Sequence, residues 1–185
     1  MKHKEVIDLL IRYIILIAIA IPNLYIIYAI FTPLTVYPVY FILSLIGNAT
    51  LLEGNTIFFQ GEYIELISAC IAGAAYYLLL ILNLSTPLKL KKRIYSLLFI
   101  LIAFLILNIF RIVLFSILIV NGFEYFDVTH KLVWYAGSTI LLIAIWFINI
   151  YIFKIKQIPV YTDLRSIYKD IKLKKQIRSS RKKKY

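Results

Sequence analysis

Charge is scarce in this chain: 16% of its 185 residues are Asp, Glu, Lys or Arg, while 62% are hydrophobic. That balance excludes an ordinary soluble domain and indicates an integral membrane protein. Acidic residues are scarcer still, nine against 21 Lys and Arg, for a formal net charge of +12. The excess is no nucleic-acid signal, because its largest block lies in the C-terminal tail: Lys154, Lys156, Arg165, Lys169, Lys172, Lys174, Lys175, Arg178 and Arg181-Lys182-Lys183-Lys184, against only Asp163 and Asp170. There is one cysteine, Cys70, which excludes an intramolecular disulfide and leaves the thiol to packing or to chemistry. Ala18-Ile19-Ala20 mimics a signal-peptidase site, but no polar cleavage region follows it, so an uncleaved anchor is expected. Neither an inverted repeat nor a pair of broken helices is visible, which weakens a transporter reading.

What is present is a series of long apolar runs. Residues 6–31 are long enough to cross the roughly 30 Å hydrocarbon core as a first membrane helix, kinked near Pro22. Lys2, Lys4 and Arg12, the block Lys89 to Arg93, and the whole tail belong on the cytoplasmic side by the positive-inside rule. Glu53, Glu62, Glu65, Glu124 and Asp127 then fall outside. A full crossing by residues 33–52 puts the middle basic block on the wrong face, so this stretch is expected to be a tilted, re-entrant or interfacial helix under the outer surface. Two short runs of β-formers around Gly61 predict an outer β-hairpin over residues 55–67. Residues 68–84, 94–120 and 132–153 supply three further crossings. The expectation is an all-α polytopic protein of the cell membrane with about four transmembrane helices, one re-entrant or interfacial helix, a short outer β-hairpin, and both termini cytoplasmic.

This arrangement, built without reference to chemistry, gathers three reactive groups on the outer side. Cys70 falls in the first turn of its helix and His130 at the start of the last one. Arg111 is nine residues from Val120 (120 − 111 = 9), hence roughly 13 Å below the helix end and within snorkelling range. Thiol, guanidinium and imidazole form a set sufficient for cysteine acyl transfer. Each also has a plainer reading. A lone membrane cysteine is more often packing, and a histidine at a helix start is equally an interfacial residue. Arg111 is harder to explain away, since an arginine inside a span costs about 2.5 to 3.5 kcal/mol on insertion scales. Asn108, one turn earlier, is placed to orient the guanidinium or to serve as interhelical glue. Glu65 either pairs with Arg111 or marks the outer loop. In the tail, Tyr161, Leu164, Ile167, Tyr168 and Ile171 recur at helical spacing among basic residues, as in a membrane-surface helix that binds anionic headgroups; nucleic acid is not expected as a partner.

With these residues in view the chain resembles the exosortase/archaeosortase family, multi-pass membrane enzymes that process C-terminal sorting signals of surface proteins. The family's Cys-x-Gly-like stretch after a hairpin is matched by Ala69-Cys70-Ile71-Ala72-Gly73, with one extra residue before the glycine. Its Asn-x-x-Arg is matched by Asn108-Ile109-Phe110-Arg111, and its basic third position opening the next helix by His130, with Gly137 further on. The match extends over residues 34–153, and the short length is similar to small archaeosortase-like members. The resemblance implies a transmembrane exosortase/archaeosortase-like domain at residues 1–160 and a basic cytoplasmic tail at 161–185. It implies a cysteine peptidase or transpeptidase without a cofactor. Cys70 would be the nucleophile, its thiolate favoured by the helix N-terminus and neighbouring cations; His130 would carry the proton and Arg111 would stabilise the oxyanion, with Asn108 in support. The implied partners are membrane proteins bearing a C-terminal sorting signal, with lipid contacts made by the tail.

Overall fold

The computed structural model describes residues 3–22, 24–155 and 168, so the amphipathic pattern over 161–185 lies almost wholly outside the described residues. The fold is mostly helical. Helices α1 (His3–Ala20), α2 (Tyr25–Ile46), α3 (Ser68–Ile71), α4 (Gly73–Leu84), α5 (Leu90–Val120), α6 (Phe126–Leu132) and α7 (Ser138–Ile152) accompany one small sheet of β1 (Ala49–Leu51), β2 (Thr56–Phe59) and β3 (Glu62–Glu65). A π-helical segment, Val133–Gly137, joins α6 to α7, so that 126–152 reads as one helix.

Three of these helices are long and apolar enough to cross a membrane: Tyr25–Ile46, Leu90–Val120 and Phe126–Ile152. Ser68–Leu84 is a shorter apolar helix. The first expected span, residues 6–31, is therefore redrawn. Its break does fall near Pro22, where the chain leaves α1 and Leu24 takes a left-handed conformation (φ 60°). Beyond the break, residues 25–31 join 33–46 in α2, which runs straight through Pro33 and Pro38. Residues 33–52, expected to form a tilted, re-entrant or interfacial helix of their own, are instead divided between the later part of α2 and the strand Ala49–Leu51. Charge arithmetic sets that stretch apart because it counts residues 6–31 as one complete crossing; Pro33 and Pro38 do not end the helix, since each removes only a single amide donor, a loss that helices in apolar surroundings absorb.

Polar side chains in α1 explain why it behaves differently from a plain span. Arg12, 4% exposed, donates from Nη1 to the Leu84 carbonyl at 2.9 Å and places Nε 3.2 Å from Asp8 Oδ2. Arg93 donates to the same carbonyl at 3.1 Å and lies 3.8 Å from the same carboxylate oxygen. Carbonyls in the last turn of a helix have no amide partner within it, and here two guanidinium groups take that place for α4. Nearby, Asn83 Nδ2 donates to Ser96 Oγ (2.7 Å), which donates to Asn149 Oδ1 (2.9 Å), fastening α4, α5 and α7.

At the opposite end sits the sheet. The expected hairpin is β2–β3, antiparallel with Phe59 opposite Glu62, and its two turn residues, Gln60 (φ 47°) and Gly61 (φ 97°), have the left-handed conformations a two-residue turn requires. Strand β1, which lay inside the stretch assigned to the re-entrant helix, pairs with β2 in the order β1-β2-β3. Ile57 and Phe59 alternate inward and are almost fully buried, meeting Val36, Val39 and Leu43 of α2 and Ile112 and Val113 of α5. A second apolar cluster, built on Ile27, Tyr76, Leu79, Ile100, Phe104, Leu142 and Ile145, lies farther from the sheet.

Candidate active site

Cys70 follows directly from β3 but does not occupy the first turn of a long helix. Ser68–Ile71 is a single turn, ended by Ala72 at φ 60°, ψ 42°, and α4 begins afresh at Gly73. The expected help of a long helix's N-terminus to the thiolate is thereby withdrawn, since the cysteine precedes the start of α4. The break has a chemical consequence. With the chain turned at Ala72, the Cys70 carbonyl faces α5, where Asn108 Nδ2 (3.0 Å) and Arg111 Nη2 (3.3 Å) both donate to it. Asn108 therefore shares an acceptor with the guanidinium rather than orienting it directly.

A left-handed alanine is strained, because its Cβ crowds the following carbonyl, by roughly 1 to 2 kcal/mol. Ala72→Gly is accordingly expected to raise stability by about 0.5 to 1 kcal/mol, part of the gain being offset by the added freedom of the unfolded chain. One residue on, the sign reverses. A Cβ at Gly73 would lie 2.6 Å from Tyr28 Cζ, so Gly73→Ala must displace that ring and is expected to destabilise. Thermal unfolding of the two purified variants in detergent measures both; equal and same-signed shifts would contradict this account of the turn.

Arg111 is half-buried and has a second partner. Its Nη1 donates to Ser138 Oγ at 2.6 Å, and that hydroxyl donates to the Val133 carbonyl at 3.2 Å. The widened turn over Val133–Gly137 sets this up, with the Ser138 amide bonded to the Val133 carbonyl five residues earlier. Ser138 was not singled out in the sequence. A polar residue in an apolar run was the available signal, but it does not reveal a π-turn. Glu65 lines the same cavity as Arg111, whose guanidinium donates hydrogen bonds to Ser138 and to the Cys70 carbonyl.

His130 lies on the second turn of α6, one turn after Phe126, and the two rings stack almost parallel (5.5 Å, 6°). The edge of Phe115 from α5 closes a second side at 5.0 Å and 81°. The imidazole is held by aromatic contacts while remaining exposed.

Cys70, Arg111 and His130 all line one cavity of about 260 Å³. Its remaining walls are mainly apolar, from Ile64 and Ile67 on one side and Ile112, Phe115 and Phe126 on the other, with Glu65 and Ser116 as polar additions. A thiol, a fixed cation and an imidazole in a largely apolar cleft are the elements of acyl transfer, in which an oxyanion forms beside a donor and a leaving group takes a proton. Among the described residues no cluster of three or more His, Cys, Asp and Glu side chains is placed to hold a metal ion. No protein-family model, no curated protein and no solved structure matches this chain.

Proposed function

We propose that this protein is a membrane-embedded cysteine protease or transpeptidase that cleaves C-terminal sorting signals of surface proteins at the outer membrane interface and passes the acyl group to an amine or lipid acceptor. One observation carries the reading: Cys70, Arg111 and His130, separated by 41 and 19 residues (111 − 70 and 130 − 111), line a single cavity. The left-handed Ala72 lends support, since a Cys-x-Gly stretch puts glycine two residues after the cysteine, the very position where this backbone favours it.

In this mechanism the Cys70 sulfur attacks the scissile carbonyl carbon, forming the C–S bond while negative charge moves onto oxygen. Arg111 donates to that oxyanion. The C–N bond then breaks, and His130, in its protonated form, gives its proton to the leaving amine. An incoming amine, lipid hydroxyl or water next attacks the thioester, surrenders a proton to the imidazole and expels the Cys70 thiolate, so that atoms and charge return to their starting state. The substrate approaches as a membrane helix, and the bond cut lies where that helix leaves the outer surface.

The distribution of charge agrees with a site facing outward. Glu53, Glu62, Glu65, Glu124 and Asp127 belong to the sheet, the α5–α6 loop and α6, whereas Lys89, Lys91, Lys92 and Arg93 gather at the other end of α5. Four crossings, by α2, α3–α4, α5 and α6–α7, place both chain ends inside, with α2 replacing residues 6–31 as the first. Single cysteines introduced at Glu62, Glu124 and Lys91 in a Cys70→Ser background test this. An impermeant thiol reagent applied to intact cells should label the first two and spare the third; labelling at Lys91 overturns the topology.

A second reading has its own observation. Arg111 joins α3 to α7 through the Cys70 carbonyl and Ser138, as a purely structural tie would, and in that case the chain is a non-enzymatic membrane component, a transporter or assembly subunit, with Arg111 as scaffold or counter-ion. Co-expression with a surface protein bearing a C-terminal sorting signal separates the two. Cleavage dependent on Cys70 supports the enzyme, and an unprocessed substrate the alternative.

A further inference from the structure

Behind the Cys70 turn, three polar side-chain atoms are buried without a hydrogen-bond partner among the described residues: the Tyr76 hydroxyl, Thr35 Oγ1 and Asn108 Oδ1. Tyr76 and Thr35 are fully buried and Asn108 is 3% exposed. They come from α4, α2 and α5, three helices that meet at the Tyr76 ring. The Tyr76 ring stacks on Phe31 of α2 (3.7 Å) and takes the edge of Phe104 of α5 (4.8 Å). Thr35 is one turn beyond Phe31, and Asn108 one turn beyond Phe104, both in the direction of the sheet. Side chains on a helix lean toward its N-terminus. Helices α2 and α5 run toward the sheet, so Thr35 and Asn108 lean back away from it, whereas α4 runs away from the sheet, so Tyr76 leans toward it. The three groups therefore converge, at the seam between the two apolar clusters.

Leaving three such groups dry is costly, each unsatisfied buried polar atom being worth about 1 to 3 kcal/mol, and neighbouring hydrocarbon gives no relief. A buried water typically makes about three hydrogen bonds to otherwise unpaired groups, which is the number offered. Arg111, three residues beyond Asn108 on α5, adds further donors nearby, two of its five N–H groups going to Ser138 and the Cys70 carbonyl.

We propose that Tyr76, Thr35 and Asn108 enclose a buried hydration site that holds at least one ordered water molecule directly behind the Cys70 turn. Tyr76 is then a positioning residue, tied through water to Asn108, which holds the Cys70 carbonyl. The inference stands on these buried groups and does not depend on Cys70 being a nucleophile.

The sign of a stability change tests it. Tyr76→Phe keeps the ring stack and deletes only the hydroxyl, and Thr35→Val keeps the shape. If the hydroxyls are bonded to a shared water, each variant of the full-length purified protein unfolds roughly 3 °C lower, and the double variant loses less than the sum. Cys70 should also change its rate of reaction with a small neutral alkylating agent in Tyr76→Phe, since the turn that carries it loses a tether. If the groups are dry, removing them leaves the melting temperature unchanged or raises it, the two effects add, and the proposal is overturned. Should Tyr76→Phe fail to accumulate, an experimental wild-type structure that resolves waters decides: density about 2.7 to 3.2 Å from the Tyr76 hydroxyl sustains the site, and clean apolar packing there ends it.

Discussion

Cys70→Ala and Cys70→Ser are expected to insert and fold normally while abolishing cleavage of a co-expressed surface protein with a C-terminal sorting signal. The expected loss is about 10⁴-fold or more, the scale of removing a covalent nucleophile. Stability should change little, because the thiol is half-buried beside the apolar cluster that holds Ile57 and Phe59, and alanine gives up only one sulfur's worth of contact there. Serine is the sharper of the two substitutions. It keeps the size and a hydrogen-bonding proton, but its hydroxyl is a far poorer nucleophile without a base matched to it. Immunoblots of the substrate measure processing, and detergent-extracted yield measures insertion. Wild-type cleavage by Cys70→Ala would remove the enzyme reading altogether, whereas a loss of folded protein in both variants would assign the cysteine to packing.

How much of this was legible in the sequence differs from element to element. The hairpin at Gly61 was readable because a two-residue turn needs left-handed backbone, and glycine between runs of β-formers announces it. Gathering Cys70, Arg111 and His130 was readable because charge asymmetry fixes which helix ends share a side, and a shared side narrows the possible neighbours. Helix boundaries inside uniformly apolar sequence were not. A kink was expected near Pro22 within one span over residues 6–31, yet the chain leaves α1 there, turns at Leu24 and carries residues 25–31 on into α2, through Pro33 and Pro38. The division of residues 68–84 at Ala72 was equally hidden, since alanine is a strong helix former and its left-handed conformation is imposed by the surrounding contacts. Ser138 was missed for a related reason: only the π-turn from Val133 to Gly137 brings its hydroxyl to Arg111.

Arg111→Lys distinguishes an oxyanion donor from a structural tie. The guanidinium spans two acceptors, Ser138 Oγ at 2.6 Å and the Cys70 carbonyl at 3.3 Å, through separate nitrogens. Lysine keeps the charge that the site was built around but offers one nitrogen in place of a planar fork, so it satisfies one of these acceptors well and the other poorly. Structurally the loss is limited, because Asn108 still donates to the Cys70 carbonyl at 3.0 Å and Ser138 still donates to Val133. The variant is therefore expected to accumulate and fold nearly as the wild type, with Cys70 still open to a small alkylating agent. Turnover is another matter. A donor fixed where an oxyanion develops contributes through its placement, and removal of one such donor costs roughly a hundredfold to a thousandfold in rate. The expected result is thus normal protein, a reactive thiol and processing reduced at least about a hundredfold. Near-wild-type processing by Arg111→Lys, joined with an Arg111→Ala variant that fails only through loss of folded protein, would instead make the arginine a scaffold. Chemistry would then rest on Cys70 and His130 alone, and the oxyanion would need a donor elsewhere in the cavity, for which the hydroxyls of Tyr63 and Ser116 are the neutral candidates on its wall.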